Sequence, residues 1–196
     1  MALGALPAGT VAELVAAHLV THEDAGTRAL MRRLAPVRAR GHLERAELEA
    51  ACRWKSPRVI RHVLSNSPAS IRRATAAALA TRDEVERAQR LVALRGVSVP
   101  MASAILTLVE PRRYGVLDIR VWQLLHGKGA VVGAPGGTGL TIGHWCSFLD
   151  VVRGVARTLR VSTRAVERTL YALHVTHQAG RLYRDANARR AERLAG

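Results

Sequence analysis

Leu94-Arg95-Gly96-Val97-Ser98-Val99-Pro100-Met101-Ala102-Ser103-Ala104-Ile105-Leu106 is the stretch on which the fold turns. Leu94 closes one helical segment, Gly96 supplies a turn, and Ser98 with Pro100 opens a second helix. Serine at such a position caps the first free amides. Proline fits the first turn, where its missing N–H would go unpaired in any residue. Glycine reverses the chain through backbone angles that a side chain penalises. The pattern is therefore helix, hairpin, helix. Amides at such a corner face outward at the positive end of a helix dipole, so they can hold a phosphate without reading a base. A glycine turn between helices is also a common structural joint, and the hairpin alone decides nothing about function.

Outward from this corner the signals remain helical. Thr10 with Glu13 reads as a capping box opening a helix to about His22. Further helices are expected over Thr27 to Leu34, Leu43 to Arg53, Pro57 to Leu64, and from Ser67-Pro68 to Ala80. Asp83 and Glu86 repeat the cap before the helix that ends at Leu94, and Thr141 to Leu159 and Ser162 to His177 complete the series. Strand-like alternation is nearly absent. Gly133-Ala134-Pro135-Gly136-Gly137-Thr138-Gly139 reads as a flexible surface connection, because it lacks the Gly-Lys-Ser/Thr ending of a phosphate loop and no strand precedes it.

With 196 residues, 48% of them hydrophobic, the chain can build one core or two lobes sharing one. One Phe, three Trp and three Tyr leave the packing to Leu, Val, Ile and Ala. The formal net charge is +15, from 30 basic and 15 acidic residues, and every basic residue except Lys55 and Lys128 is arginine. A GC-rich coding sequence explains arginine in place of lysine. It does not explain carboxylates outnumbered two to one, which points to a polyanionic partner. Nucleic acid fits better than a membrane surface, since no basic amphipathic helix, lipidation motif or spanning segment stands out. Cys52 and Cys146 are too few and too far apart for a cysteine metal site or a disulfide scaffold, so a cytoplasmic protein is expected.

The continuation of the opening stretch narrows the field: Thr107-Leu108-Val109-Glu110-Pro111-Arg112-Arg113-Tyr114-Gly115-Val116-Leu117-Asp118-Ile119-Arg120-Val121-Trp122. Over residues 91 to 125 the sequence resembles the helix-hairpin-helix base-excision DNA glycosylases, the superfamily that includes endonuclease III and the adenine glycosylases. In that family a glycine hairpin and a small-residue helix lead into a loop ending in Val-Asp, and the aspartate is catalytic. The resemblance implies an all-α, two-lobed fold. A central helical barrel would span 36–128, with the helix-hairpin-helix at about 84–109, and residues 1–35 plus 129–196 would form the second lobe.

By the same resemblance, Asp118 is the catalytic carboxylate, stabilising positive charge on a deoxyribose as the bond to its base breaks or activating the attacking water. As a residue before a helix, Asp118 equally suits a plain N-cap role. Gly96, Val97 and Ser98 would hold a phosphate of double-stranded DNA through main-chain groups, with Arg95 and Arg120 as further DNA contacts. The lysine that some relatives carry in the hairpin aligns with Pro100, so a monofunctional hydrolase is expected; separately, a monomer is expected. The relatives' four-cysteine cluster is absent. No cofactor is required, and the resemblance allows a monovalent cation on the hairpin carbonyls.

Trp54 and Lys55, in Arg53-Trp54-Lys55-Ser56-Pro57-Arg58, form a candidate base pocket, since a flipped base needs an aromatic or apolar wall. The alternative for Trp54 is a core anchor flanked by solvated charges. His18 with His22, and His174 with His177, have ligand-compatible spacings but no third ligand nearby, and read as surface or half-buried residues rather than a metal site. Trp122 and Trp145 read as core anchors. The competing functional class is a DNA- or lesion-binding protein of glycosylase-like fold that does not cut.

Overall fold

The computed structural model describes residues 9–179, 181 and 182; the expected lobe ends at 1–8 and 183–196 lie outside the described residues. The protein is all-α. No strand forms among the described residues, and none of their helices is long and apolar enough to cross a membrane. The helices are α1 (Val11–Ala17), α2 (Ala25–Leu34), α3 (Val37–Arg40), α4 (Arg45–Lys55), α5 (Ile60–Leu64), α6 (Pro68–Ala80), α7 (Glu84–Val92), α8 (Val99–Val109), α9 (Ile119–Gly127), α10 (Ile142–Leu159) and α11 (Thr163–His177). A single 3-10 turn, Pro57–Val59, joins α4 to α5.

Helix α8 organises the packing. Every residue from Met101 to Val109 is buried, so this helix has no solvent face. It packs against α2, α4, α7 and α10, and one continuous apolar core runs from Val11 to Leu173. Its two hydroxyls are satisfied locally: Ser103 Oγ donates to the Pro100 carbonyl at 2.8 Å and Thr107 Oγ1 to the Ser103 carbonyl at 2.7 Å. Helix α9 lies along α11, and α1 joins α10 and α11, whereas α2 packs with α4 and α8. Trp122 and Trp145 are both buried, and Trp145 stacks on Tyr114 with ring centroids 6.2 Å apart.

Local caps set most helix starts. Thr10 and Glu13 form a reciprocal capping box, and Ser67, Asp83, Ser98, Asp118, Thr141 and Ser162 each accept an amide of the helix they precede. Helix α1 is shorter than its apolar pattern suggests. It ends at Ala17, and the chain then turns so that the Val20 amide donates to Thr169 Oγ1 of α11 at 2.9 Å. A tertiary hydrogen bond wins there over local propensity.

The α7–α8 corner is held from beneath by α5. Gly96 has φ +78°, and a Cβ on it would lie 2.9 Å from His62 Cβ and 2.9 Å from the Val63 amide nitrogen. Gly129 also has a positive φ, +68°, but nothing within 4 Å of its Cβ position. Gly129→Ala is therefore expected to cost about 1 kcal/mol of backbone strain. Gly96→Ala adds steric overlap and should cost about 2–4 kcal/mol. Urea unfolding midpoints of the two variants check the difference, with unchanged m-values showing that stability alone has moved.

Candidate functional site

A cleft of about 950 Å³ opens where four segments meet. Its lining comes from the end of α4 and the turn beyond it (Lys55, Ser56, Arg58, Val59), from the α7–α8 corner (Val92 to Ser98, with Pro100 and Met101), from Leu117 to Ile119 at the start of α9, and from Gly137 to Leu140. Six of the residues expected to act together share it: Lys55, Arg95, Gly96, Val97, Ser98 and Asp118.

Asp118 caps α9, its Oδ1 accepting the Arg120 amide at 2.9 Å, while Oδ2 accepts from Lys55 Nζ at 2.7 Å. The two side chains are 19% and 18% exposed, so the pair is shielded yet reachable from the cleft. Burial pushes the Asp118 carboxyl up. The Lys55 charge, its hydrogen bond and the Arg120 amide outweigh that and hold it below the ordinary aspartate value. It is an anion at neutral pH, at the helix end where the dipole favours one.

The strand of chain leading into Asp118 is gripped from two sides. Ser103 Oγ, inside α8, accepts the Leu117 amide at 2.8 Å. On the opposite side Gly115 lies against α11, where a Cβ would come within 2.8 Å of Glu167 Cβ. Glu167 is buried, which raises its pKa, and pairs with Arg164, which also reaches Glu23. Arg168 closes the cluster onto Glu23. These groups fix the Asp118 backbone rather than line the cleft.

Asn66 fixes the corner. Its Oδ1 accepts the Arg95 amide at 2.9 Å and its Nδ2 donates to the Arg95 carbonyl at 2.9 Å and the Val63 carbonyl at 2.8 Å. The Val97 amide donates to the Leu94 carbonyl at 3.1 Å, and the Val97 side chain is buried. Val97 thus shapes the turn, its amide engaged within the corner. Gly96 is half-buried and Ser98 exposed at the corner, with the exposed Arg95 beside them. The Leu94 and Arg95 carbonyls accept from the Val97 amide and from Asn66 Nδ2. Among the described residues no group of three or more His, Cys, Asp and Glu could hold a metal ion.

Two expected site residues point elsewhere. The Trp54 indole N–H donates to Thr27 Oγ1 of α2 at 2.9 Å, and the Arg164 guanidinium lies 5.5 Å from its ring centroid. Trp54 is a joint between α2, α4 and α11, not a cleft wall. Arg120 extends towards α11, its guanidinium carbon 5.6 Å from the Tyr171 ring centroid; its amide bonds Asp118 directly and its charge helps to lower the Asp118 pKa. No local pattern signals Asn66 or Ser103, whose partners lie 29 and 14 residues away.

The glycine-rich segment is pinned rather than loose. Trp122 Nε1 donates to the Ala134 carbonyl at 3.0 Å, and Gln123 Nε2 to the Gly136 carbonyl at 2.9 Å. Gly137, at φ +68°, lies so close to Ile119 that a Cβ would come within 2.8 Å of the Ile119 carbonyl oxygen. Gln123 Oε1 is in turn 2.8 Å from Nε2 of His174, a fully buried residue rather than the half-exposed one expected. An amide oxygen can only accept, so Nε2 carries the proton. Burial, with the nearby Arg120 charge, lowers the His174 pKa from 6.5 to about 4.

Because the unfolded histidine binds a proton more readily than the folded one, stability should be fully present above pH 6.5 and fall as pH drops towards 4. The expected loss across that window is on the order of 2–3 kcal/mol. Urea unfolding at stepped pH checks it, and His174→Gln should flatten this part of the profile.

Compared with known proteins, the chain matches no family model, no curated protein and no solved structure.

Proposed function

We propose that this protein is a helix-hairpin-helix DNA glycosylase, which hydrolyses the N-glycosidic bond of a damaged or mismatched base in duplex DNA. The observation that carries this reading is the meeting, in one cleft, of an ionised Asp118 at a helix start and an amide-bearing corner flanked by Arg58 and Arg95. As the base departs, positive charge builds on the sugar C1′. A fixed carboxylate lowers the energy of that charge without having to reorganise. The same oxygen can orient the attacking water. The Gly96 and Ser98 amides suit one phosphate, which would set the register of the sugar against Asp118.

The charge distribution supports a polyanion as partner. Carboxylates such as Glu23, Glu47, Glu84, Glu86 and Glu167 are bound to arginines within the fold. At the cleft the balance is reversed, with Lys55, Arg58 and Arg95 against Asp118 among the described lining residues. Proline at position 100 leaves the corner without an amine, so base loss by water is the step assigned here.

Single-turnover assays on duplexes carrying deaminated, oxidised, alkylated and mismatched bases test the proposal, with abasic sites revealed by alkali. Wild type should release one class of base. Asp118→Asn should slow release at least about 100-fold, while duplex affinity stays within about twofold. Silence across the panel with binding intact would favour the non-cutting DNA binder. In either case Arg58→Ala and Arg95→Ala should each lower the slope of log affinity against log salt by about 1.

A further inference from the structure

The geometry points to a second activity of the same cleft, resting on the glycosylase reading: Lys55 acts as an amine nucleophile on the C1′ aldehyde of an abasic site and cleaves the DNA strand by β-elimination. All but two of the 30 basic residues are arginine, and the other lysine, Lys128, donates to the Gly9 carbonyl on another part of the surface. The ion pairs of Glu23, Glu47, Glu84, Glu86 and Glu167 all use arginine. A guanidinium holds a carboxylate with two parallel hydrogen bonds and would serve Asp118 at least as well, if pairing were the whole task. What it cannot do is lose a proton and attack a carbon. Lys55 places an amine 2.7 Å from a carboxylate in the lining of a cleft.

The chemistry balances within these two residues and the substrate. The Lys55 ammonium passes a proton to Asp118, and the free amine adds to C1′ of the ring-opened sugar, giving a carbinolamine. Asp118 returns its proton to the departing hydroxyl, water leaves, and a C1′ iminium to Lys55 remains. Loss of the C2′ proton to the Asp118 carboxylate or to water forms the C2′–C3′ double bond and expels the 3′ phosphate with the C3′–O electron pair. Hydrolysis then releases the unsaturated aldehyde and restores the amine. No oxidant or reductant is consumed. The hairpin therefore need not supply the lysine, because α4 delivers one to the same carboxylate from another direction.

The test uses the full chain and a duplex with a preformed abasic site, so no base need be excised. With sodium cyanoborohydride the wild type should form a one-to-one covalent adduct whose peptide mass maps to Lys55; without it, the strand should break with no alkali. Lys55→Arg keeps the charge beside Asp118 and, at protein concentrations that saturate the abasic duplex, should cut adduct formation at least about 100-fold, with an unchanged thermal melt showing that the fold is intact. Lys55→Gln serves as a second variant, with the same loss expected. An undiminished adduct in Lys55→Arg, an adduct mapped to another amine, or no adduct from wild type despite intact binding would each overturn the proposal. Base release without the adduct would sink this inference alone. The adduct without base release would sink the glycosylase reading alone.

Discussion

A helix without a polar face must be enclosed, and α8 is such a helix. Its nine buried residues from Met101 to Val109 oblige α2, α4, α7 and α10 to surround it. Each large apolar side chain removed from water contributes roughly 1.5–3 kcal/mol, so this enclosure is a strong local driving force. The candidate site follows from it. The N-terminus of α8 is the corner that Asn66 grips, and Ser103 in its second turn holds the Leu117 amide beside Asp118. One buried helix thereby sets the spacing between the corner and the carboxylate.

The Lys55–Asp118 pair sits at the balance point between two costs. Fully buried, it would lose more in desolvation than the attraction returns; fully exposed, water and salt would screen it to little effect. At just under one-fifth exposure for each side chain, the carboxylate is held ionised and in a fixed direction but stays open to a ligand. Supporting groups are kept out of the cleft. Glu167, Arg164 and Glu23 brace the approach to Asp118 from behind, and Trp54 lies under Arg164 on that side.

What was legible in the sequence was what acts over three or four residues. The caps at Thr10, Ser67, Asp83, Ser98 and Asp118, and the turn at Gly96, all lie within reach of their own partners along the chain. The all-α class follows from them. The Lys55–Asp118 contact spans 63 residues and the Asn66–Arg95 clamp 29, and no local periodicity encodes either. Trp54 shows the limit most clearly. Consecutive residues on an α-helix point about 100° apart, so Lys55 entering the cleft sends Trp54 away from it. For the same kind of reason Arg120 contributes an amide where a side chain was expected. Glycine content alone read as looseness in the 133–139 segment, because its tethers, Trp122, Gln123 and Ile119, belong to α9.

That tethered segment gives the cleft one wall made of main chain. From Gly137 to Gly139 it presents peptide groups and a single exposed side chain, Thr138, on a frame fixed at its back to α9. A wall of this kind separates the shape of the recess from the stability of the molecule. Residues can change at its tip without disturbing α8 or the carboxylate it positions, so the shape of the recess can diverge while Asp118 stays where it is.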